Sequence, residues 1–197
     1  MTVAHDEAVK TSERLRMAQL VTRYAKIVMC LCLALFCLLV AFNNLTDYGT
    51  NYLFVQHALS MDTTFPGNAL MYRAITNPVL WQLGYGLIIV AEAIVGVLFL
   101  AGVVRLWQVR NGAASLFNGA KAYIVAAATL GFLLWFFGFM VVGGEWFATW
   151  QSQTWNGQQP AFRFYMTMLA VLIFVSLPDG DLMQPPNRRR TDRKAAR

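Results

Sequence analysis

The stretch VMCLCLALFCLLVAF, residues 28–42, runs directly into NNLTDYGTNYLFVQHALSMDTTFPGNALMYR, residues 43–73. The first is apolar and uncharged. Extended back to about Val21, it has the length that crosses a bilayer, roughly 20 apolar residues at about 1.5 Å each. Three similar runs follow, at about 80–104, 122–142 and 161–177. Only 13% of the 197 residues are charged. A soluble domain carries about 25%, so the solvent of this chain is lipid. Four spans use about 80 residues, which leaves no room for a second globular domain. The expected fold is all-α, an integral membrane four-helix bundle. A short extracytoplasmic helix and loop (43–79) joins spans one and two, and a second outer loop covers 143–160.

The flanks are read from polarity. Residues 1–20 carry a partial apolar stripe (Leu15, Met17, Ala18, Leu20) among Arg14, Arg16 and Gln19. They are expected to form a short interfacial helix that feeds span one. Asn43-Asn44 follows the apolar core without a small-residue cleavage site, so span one is expected to be retained. Residues 105–121 read as a short basic turn, with Asn111-Gly112 as the turn signal. The tail, 179–197, is basic and expected to be disordered.

An even number of spans puts both ends on one side. That side collects 14 of the 16 Lys and Arg residues, and only Arg73 and Arg163 fall on the other. The positive-inside rule then places both termini in the cytoplasm. Trp81, Trp146, Trp150 and Trp155 mark the outer interface and Trp107 the inner one.

Several functions are disfavoured. Quinone-coupled disulfide-forming enzymes also have four membrane helices, but they need thiol pairs in the outer loops. Here Cys30, Cys32 and Cys37 all lie inside span one. Cys30 and Cys32 point about 200° apart on a helix and read as packing residues. The net charge of +6 follows from orientation, so nucleic acid is not an expected partner. No metal site is expected, because one His with scattered acids is short of the clustered ligands that metals need.

Two places could carry chemistry. Glu92 is the one ionisable residue deep in a span. It reads as near the middle of span two, level with Cys32, Phe132 and Ala170. Its functional reading is a proton or quinone site. Its structural reading is a neutral acid bonded to a backbone carbonyl or to Thr129 or Thr167 as helix glue. Gly96, one turn along, would let a neighbouring helix approach. The other place is the outer loop. TNYLFVQHALSM reads as a helix lying on the bundle, with Asp47 and Thr46 capping its start and His57 and Asp62 near its end. His57 and Asp62 read either as a proton-handling pair or as packing. Arg73 is expected to pair with Asp62 or Glu145, and Glu145 with Arg163. Ala127, Gly131 and Gly138 give span three a small-residue face, expected to be packed.

The run NNLTDYGTNYLFVQHALSMDTTFP, with MYRAITNP after it and a Glu in the next span, resembles a bacterial family. That family is the predicted small integral membrane proteins of unknown function, family 2165. The resemblance covers most of the chain and is strongest over 43–78. It implies a four-span protein with this outer loop as its hallmark, and it implies no activity. Two readings follow. One is a non-enzymatic accessory or assembly subunit of a larger inner-membrane complex, respiratory complexes included, with the bilayer and other membrane subunits as partners. The other is a small quinone-, proton- or lipid-handling protein using Glu92 or the His57/Asp62 loop. No cofactor is expected beyond a bound lipid or quinone.

Overall fold

A computed structural model describes residues 2–184. The expected basic tail lies outside the described residues from 185 onward. Six α-helices follow one another: α1 (Thr2–Thr46), α2 (Tyr48–Ser60), α3 (Pro78–Gln108), α4 (Ala114–Ala120), α5 (Ala122–Phe132) and α6 (Gln158–Ser176). Beyond α5 the chain continues helically with π geometry over Leu133–Trp146. No strand occurs among the described residues. Four helical segments are long and apolar enough to cross a membrane: Asp6–Thr46, Pro78–Gln108, Ala114–Trp146 and Gln158–Ser176. Their outward faces carry Leu39, Leu83, Leu87, Val97 and Ile173, each more than half exposed. Contiguous apolar surface of this kind is stable against lipid and not against water. The protein is therefore a multi-pass integral membrane protein.

In the bundle α1 packs mainly on α3, α3 on α5, and α6 on α5 and the π-helical stretch, closing back lightly on α1. Cys30 and Cys37 are buried in this core and Cys32 is exposed, as opposite helix faces require. At Gly96 α1 and α3 approach closely. A Cβ there would meet Leu38 Cγ at 2.7 Å and the Leu38 backbone nitrogen at 3.0 Å. The N-terminus of α3 is set by Asn77, whose side chain accepts from Val79 N (2.9 Å), with Pro78 as first residue.

Three features differ from the sequence reading. The N-terminal segment is no separate interfacial helix, because α1 runs unbroken for 45 residues. With Leu, Met, Ala, Lys and Arg throughout, nothing stops helix propagation at the lipid boundary. The 105–121 segment is not merely a turn, since α4 forms within it. The stretch after Ser176 is partly fixed rather than a free tail. There Asp179 Oδ2 accepts from Lys26 Nζ (2.7 Å) and Lys121 Nζ (2.6 Å). Both ammonium groups also donate to Leu177 O. Arg23 is buried beside them, with Nη1 donating to the carbonyls of Arg110 and Gly112 and Nη2 to that of Gly180. Three residues that served only to orient the chain are thus the pins that hold its return segment. Burial alone would raise the Asp179 carboxyl. The hydrogen bonds and charges of Lys121 and Lys26 outweigh it and hold the group below its ordinary value of 3.8.

Candidate functional site

Glu92 is 3% exposed and faces the interior. Its Oε2 accepts from Asn44 Nδ2 at 2.6 Å. Asn44 is itself fixed by Tyr85, whose hydroxyl donates to the Asn44 carbonyl at 2.8 Å. The expected backbone or threonine partner is replaced by Asn44, because Glu92 does not lie where counting along span two puts it. Helix α3 has 31 residues, about 46 Å, which exceeds a hydrocarbon core of about 30 Å. The middle of the helix is therefore not the middle of the bundle. Along α1, Asn44 stands 18 residues from Lys26, about 27 Å from the basic end. Glu92 is accordingly near the loop end, not level with Cys32. Asn43-Asn44 do not end α1 either, which continues to Thr46.

Asp47 breaks the helix, and α2 then crosses α3. Tyr48 and Tyr52 pack on Tyr85, and Val55 and Leu59 lie over Gly84. Beneath α2 is a cavity of about 230 Å³ lined by Asn44, Glu92, Asn51, Phe54, Tyr85, Trp135, Phe139 and Phe164, among others. A second, almost wholly apolar chamber of about 290 Å³ adjoins it, lined by Ala58, Leu59, Gly84, Leu134, Phe137 and Gly138. Phe54, Val55, Ile88 and Phe139 border both. The two chambers lie side by side with these four residues between them, and the Glu92 carboxyl belongs to the one beneath α2. Among the described residues the bond from Asn44 is the one hydrogen bond of the Glu92 carboxyl, and it leaves the second oxygen, Oε1, without a partner.

The π geometry explains why the cleft is there. Beyond Phe132 the chain leaves the 3.6-residue repeat, and it makes little contact with α3 while packing on α6. Ala127 and Gly131 lie in packed interfaces, Gly131 against Met168. Gly138 does not: a Cβ there would meet only its own helix, and the residue borders the apolar chamber. The small-residue face is therefore packed over α5 only. π-Helical segments recur at functional sites.

The outer-loop residues assemble differently. His57 Nδ1 donates to Asp62 Oδ2 at 2.8 Å, and the imidazole stacks on Trp155 with centroids 4.7 Å apart. The pair is partly exposed, and among the described residues no cluster of three metal-ligating side chains occurs. Asp47 occupies the N-cap position of α2 but makes no capping bond to the backbone. It accepts instead from the Thr50 hydroxyl (2.9 Å), and Thr46 bonds back to Phe42 and Asn43 carbonyls. Arg73 pairs with neither Asp62 nor Glu145. Its Nη1 donates to Trp146 O (3.2 Å) and its guanidinium lies 4.5 Å over the Trp146 ring. Glu145 is exposed, and among the described residues it forms no ion pair with Arg163. The Trp-rich segment closes over the first loop through Thr63–Ser152 (2.8 Å) and Gln151, which accepts from Phe65 N and Asn68 Nδ2.

Of the six candidates, only His57 and Asp62 are bonded to each other, and Glu92 stands apart beneath α2. Asn44, Tyr85 and Trp135 went unrecognised in sequence. The one available signal was Asn44 itself, a polar residue within reach of a helix that could continue past it.

The family model for predicted small integral membrane proteins (DUF2165) matches residues 22–178. The chain belongs to this family. The match takes in all four spans, both loops between them at the Glu92 end, and the Lys26 and Lys121 pins, ending just before Asp179. The family description carries no activity. No curated protein and no solved structure matches the chain.

Proposed function

We propose that this protein binds a lipid-soluble small molecule of the quinone or lipid type. The apolar body lies in the chamber between α3 and the π-helical stretch, and the polar head meets Glu92. One observation carries the reading: a buried carboxyl with a single hydrogen bond lines a cavity that shares four lining residues with an almost wholly apolar chamber. Binding sites of this kind are mostly apolar, with few convergent polar groups. The polar groups that line the cavity with Glu92 are Asn44, Asn51 and Tyr85, and the rest of the lining is aliphatic and aromatic, which suits a binding or carrier protein.

The accessory-subunit reading has its own support in the exposed aromatic patch of the loop end, formed by Phe65, Tyr72, Trp146 and Trp150. Gentle detergent extraction followed by native mass determination separates the two. The binding reading expects a light particle carrying a bound small molecule. A heavy particle with other chains and an empty cleft would replace it with the accessory reading.

In orientation, we take the basic end as cytoplasmic and the loop end as facing outward, in the plasma membrane of a bacterium. Single-cysteine variants in a background lacking the three native cysteines test this. An impermeant maleimide is expected to label a cysteine at position 51 in intact cells and one at position 110 only after lysis. The opposite pattern would invert the topology.

A further inference from the structure

Resting on the binding reading above, we infer that the head group bound at Glu92 is an organic cation, an ammonium group on an apolar body. Three observations converge. The ion pairs of the described residues do not include Glu92, whose neutral partner is Asn44. A carboxylate in that place lacks a counter-charge, and ionising it there is costly unless a cation comes with the ligand.

The walls around Glu92 are the second observation. Phe54, Tyr85, Trp135, Phe139 and Phe164 line the same cavity. Aromatic faces attract ammonium groups through their quadrupole, Trp most strongly, and more so when water is excluded. Trp135 is 1% exposed. It is held edge-on to Phe164 at 5.8 Å, while Phe54 and Phe139 stack at 5.8 Å. The walls are therefore fixed before a ligand arrives.

The third is the division of the cleft. Its 230 Å³ inner chamber holds the carboxyl and the 290 Å³ outer chamber is almost purely apolar.

The test uses the purified full chain in maltoside micelles, with dodecyltrimethylammonium below its own micelle concentration as the probe. Dodecanol and decylubiquinone are the neutral comparisons, and binding is read by calorimetry. The cation is expected to bind saturably and at least tenfold more tightly than dodecanol. Glu92→Gln should weaken the cation at least tenfold, Glu92→Asp less, and Trp135→Phe measurably. Each variant is first shown to melt as the parent does, and Trp135→Phe keeps the test open if the Glu92 variants fail to fold.

Equal affinity for cation and dodecanol, or a Gln variant that binds the cation as the parent does, would overturn the inference. Binding of decylubiquinone alone, sensitive to Glu92, would overturn the cation while leaving the binding reading intact. No binding of any of the three would remove both. Nanodiscs made with phosphatidylethanolamine or with phosphatidylglycerol alone identify the source. Displacement of the probe only by the former assigns the cation to a lipid head group. Undiminished binding in both assigns it to a free amine. Either result supports the inference.

Discussion

Replacing Asp179 with alanine is expected to cost about 3–5 kcal/mol, the loss seen when one partner of a buried ion pair is removed. Among the described residues the carboxylate is the only acid bonded to Lys26 and Lys121, whose side chains are 2% and 7% exposed. Without it the two largely buried ammonium groups keep, among the described residues, only carbonyl and amide partners. Asp179→Asn preserves shape and one acceptor but not the charge, and should lie between alanine and the parent. The same geometry sets a pH dependence. The folded state holds this carboxyl below 3.8, so the unfolded chain takes up its proton first as pH falls. The contribution is complete at neutral pH and is lost as pH falls below about 3.8 through the lower, folded value. Thermal melts in detergent between pH 7 and pH 3 check this. The parent should lose stability at the acid end more steeply than Asp179→Asn. Parallel curves would assign the acid sensitivity elsewhere.

The second large effect is at Glu92. Glutamine keeps an oxygen to accept from Asn44 Nδ2, so Glu92→Gln should fold and accumulate as the parent does. It cannot carry a negative charge, and retention of the bound molecule should fall at least tenfold. Glu92→Leu behaves differently. It inserts more readily, but it strands the Asn44 amide in a buried place, at about 1–3 kcal/mol. Ligand content per protein, with melting temperature alongside, separates the two. A Gln variant of normal stability and full ligand content would reduce Glu92 to helix glue.

What the sequence made legible follows from which forces are local. Four spans are visible because lipid as a solvent demands continuous apolar runs. The close approach at Gly96 is visible because a missing side chain has one obvious use. The partner of Glu92 was not visible. Asn43-Asn44 looked like a polar stop, whereas α1 passes through them and places Asn44 opposite Glu92. Depth was misjudged for a related reason, since α3 exceeds the membrane thickness and its centre is not a landmark. The π-helical stretch changes the side-chain repeat midway along one span, so a 3.6-residue reading put Gly138 in a packed face when it borders a chamber. Asp179 belonged to a run that composition marked as a free tail, yet Lys26 and Lys121 hold its carboxylate and Arg23 holds the Gly180 carbonyl beside it. Arg73 found an aromatic ring and a carbonyl where charge matching suggested a carboxylate.

The central claim is that the cleft is occupied, and Gly138 tests it most directly. A Cβ at Gly138 would meet no other helix, and Gly138 lines the apolar chamber. Gly138→Phe fills the outer chamber while leaving Glu92, Asn44 and Trp135 untouched. The measurement is the amount of small molecule released by solvent extraction per purified protein, in the parent and in Gly138→Phe, at matched melting temperature. The account predicts a stoichiometric molecule in the parent and at least a tenfold loss in the variant. A parent that releases nothing, or a variant that stays fully loaded, would contradict it.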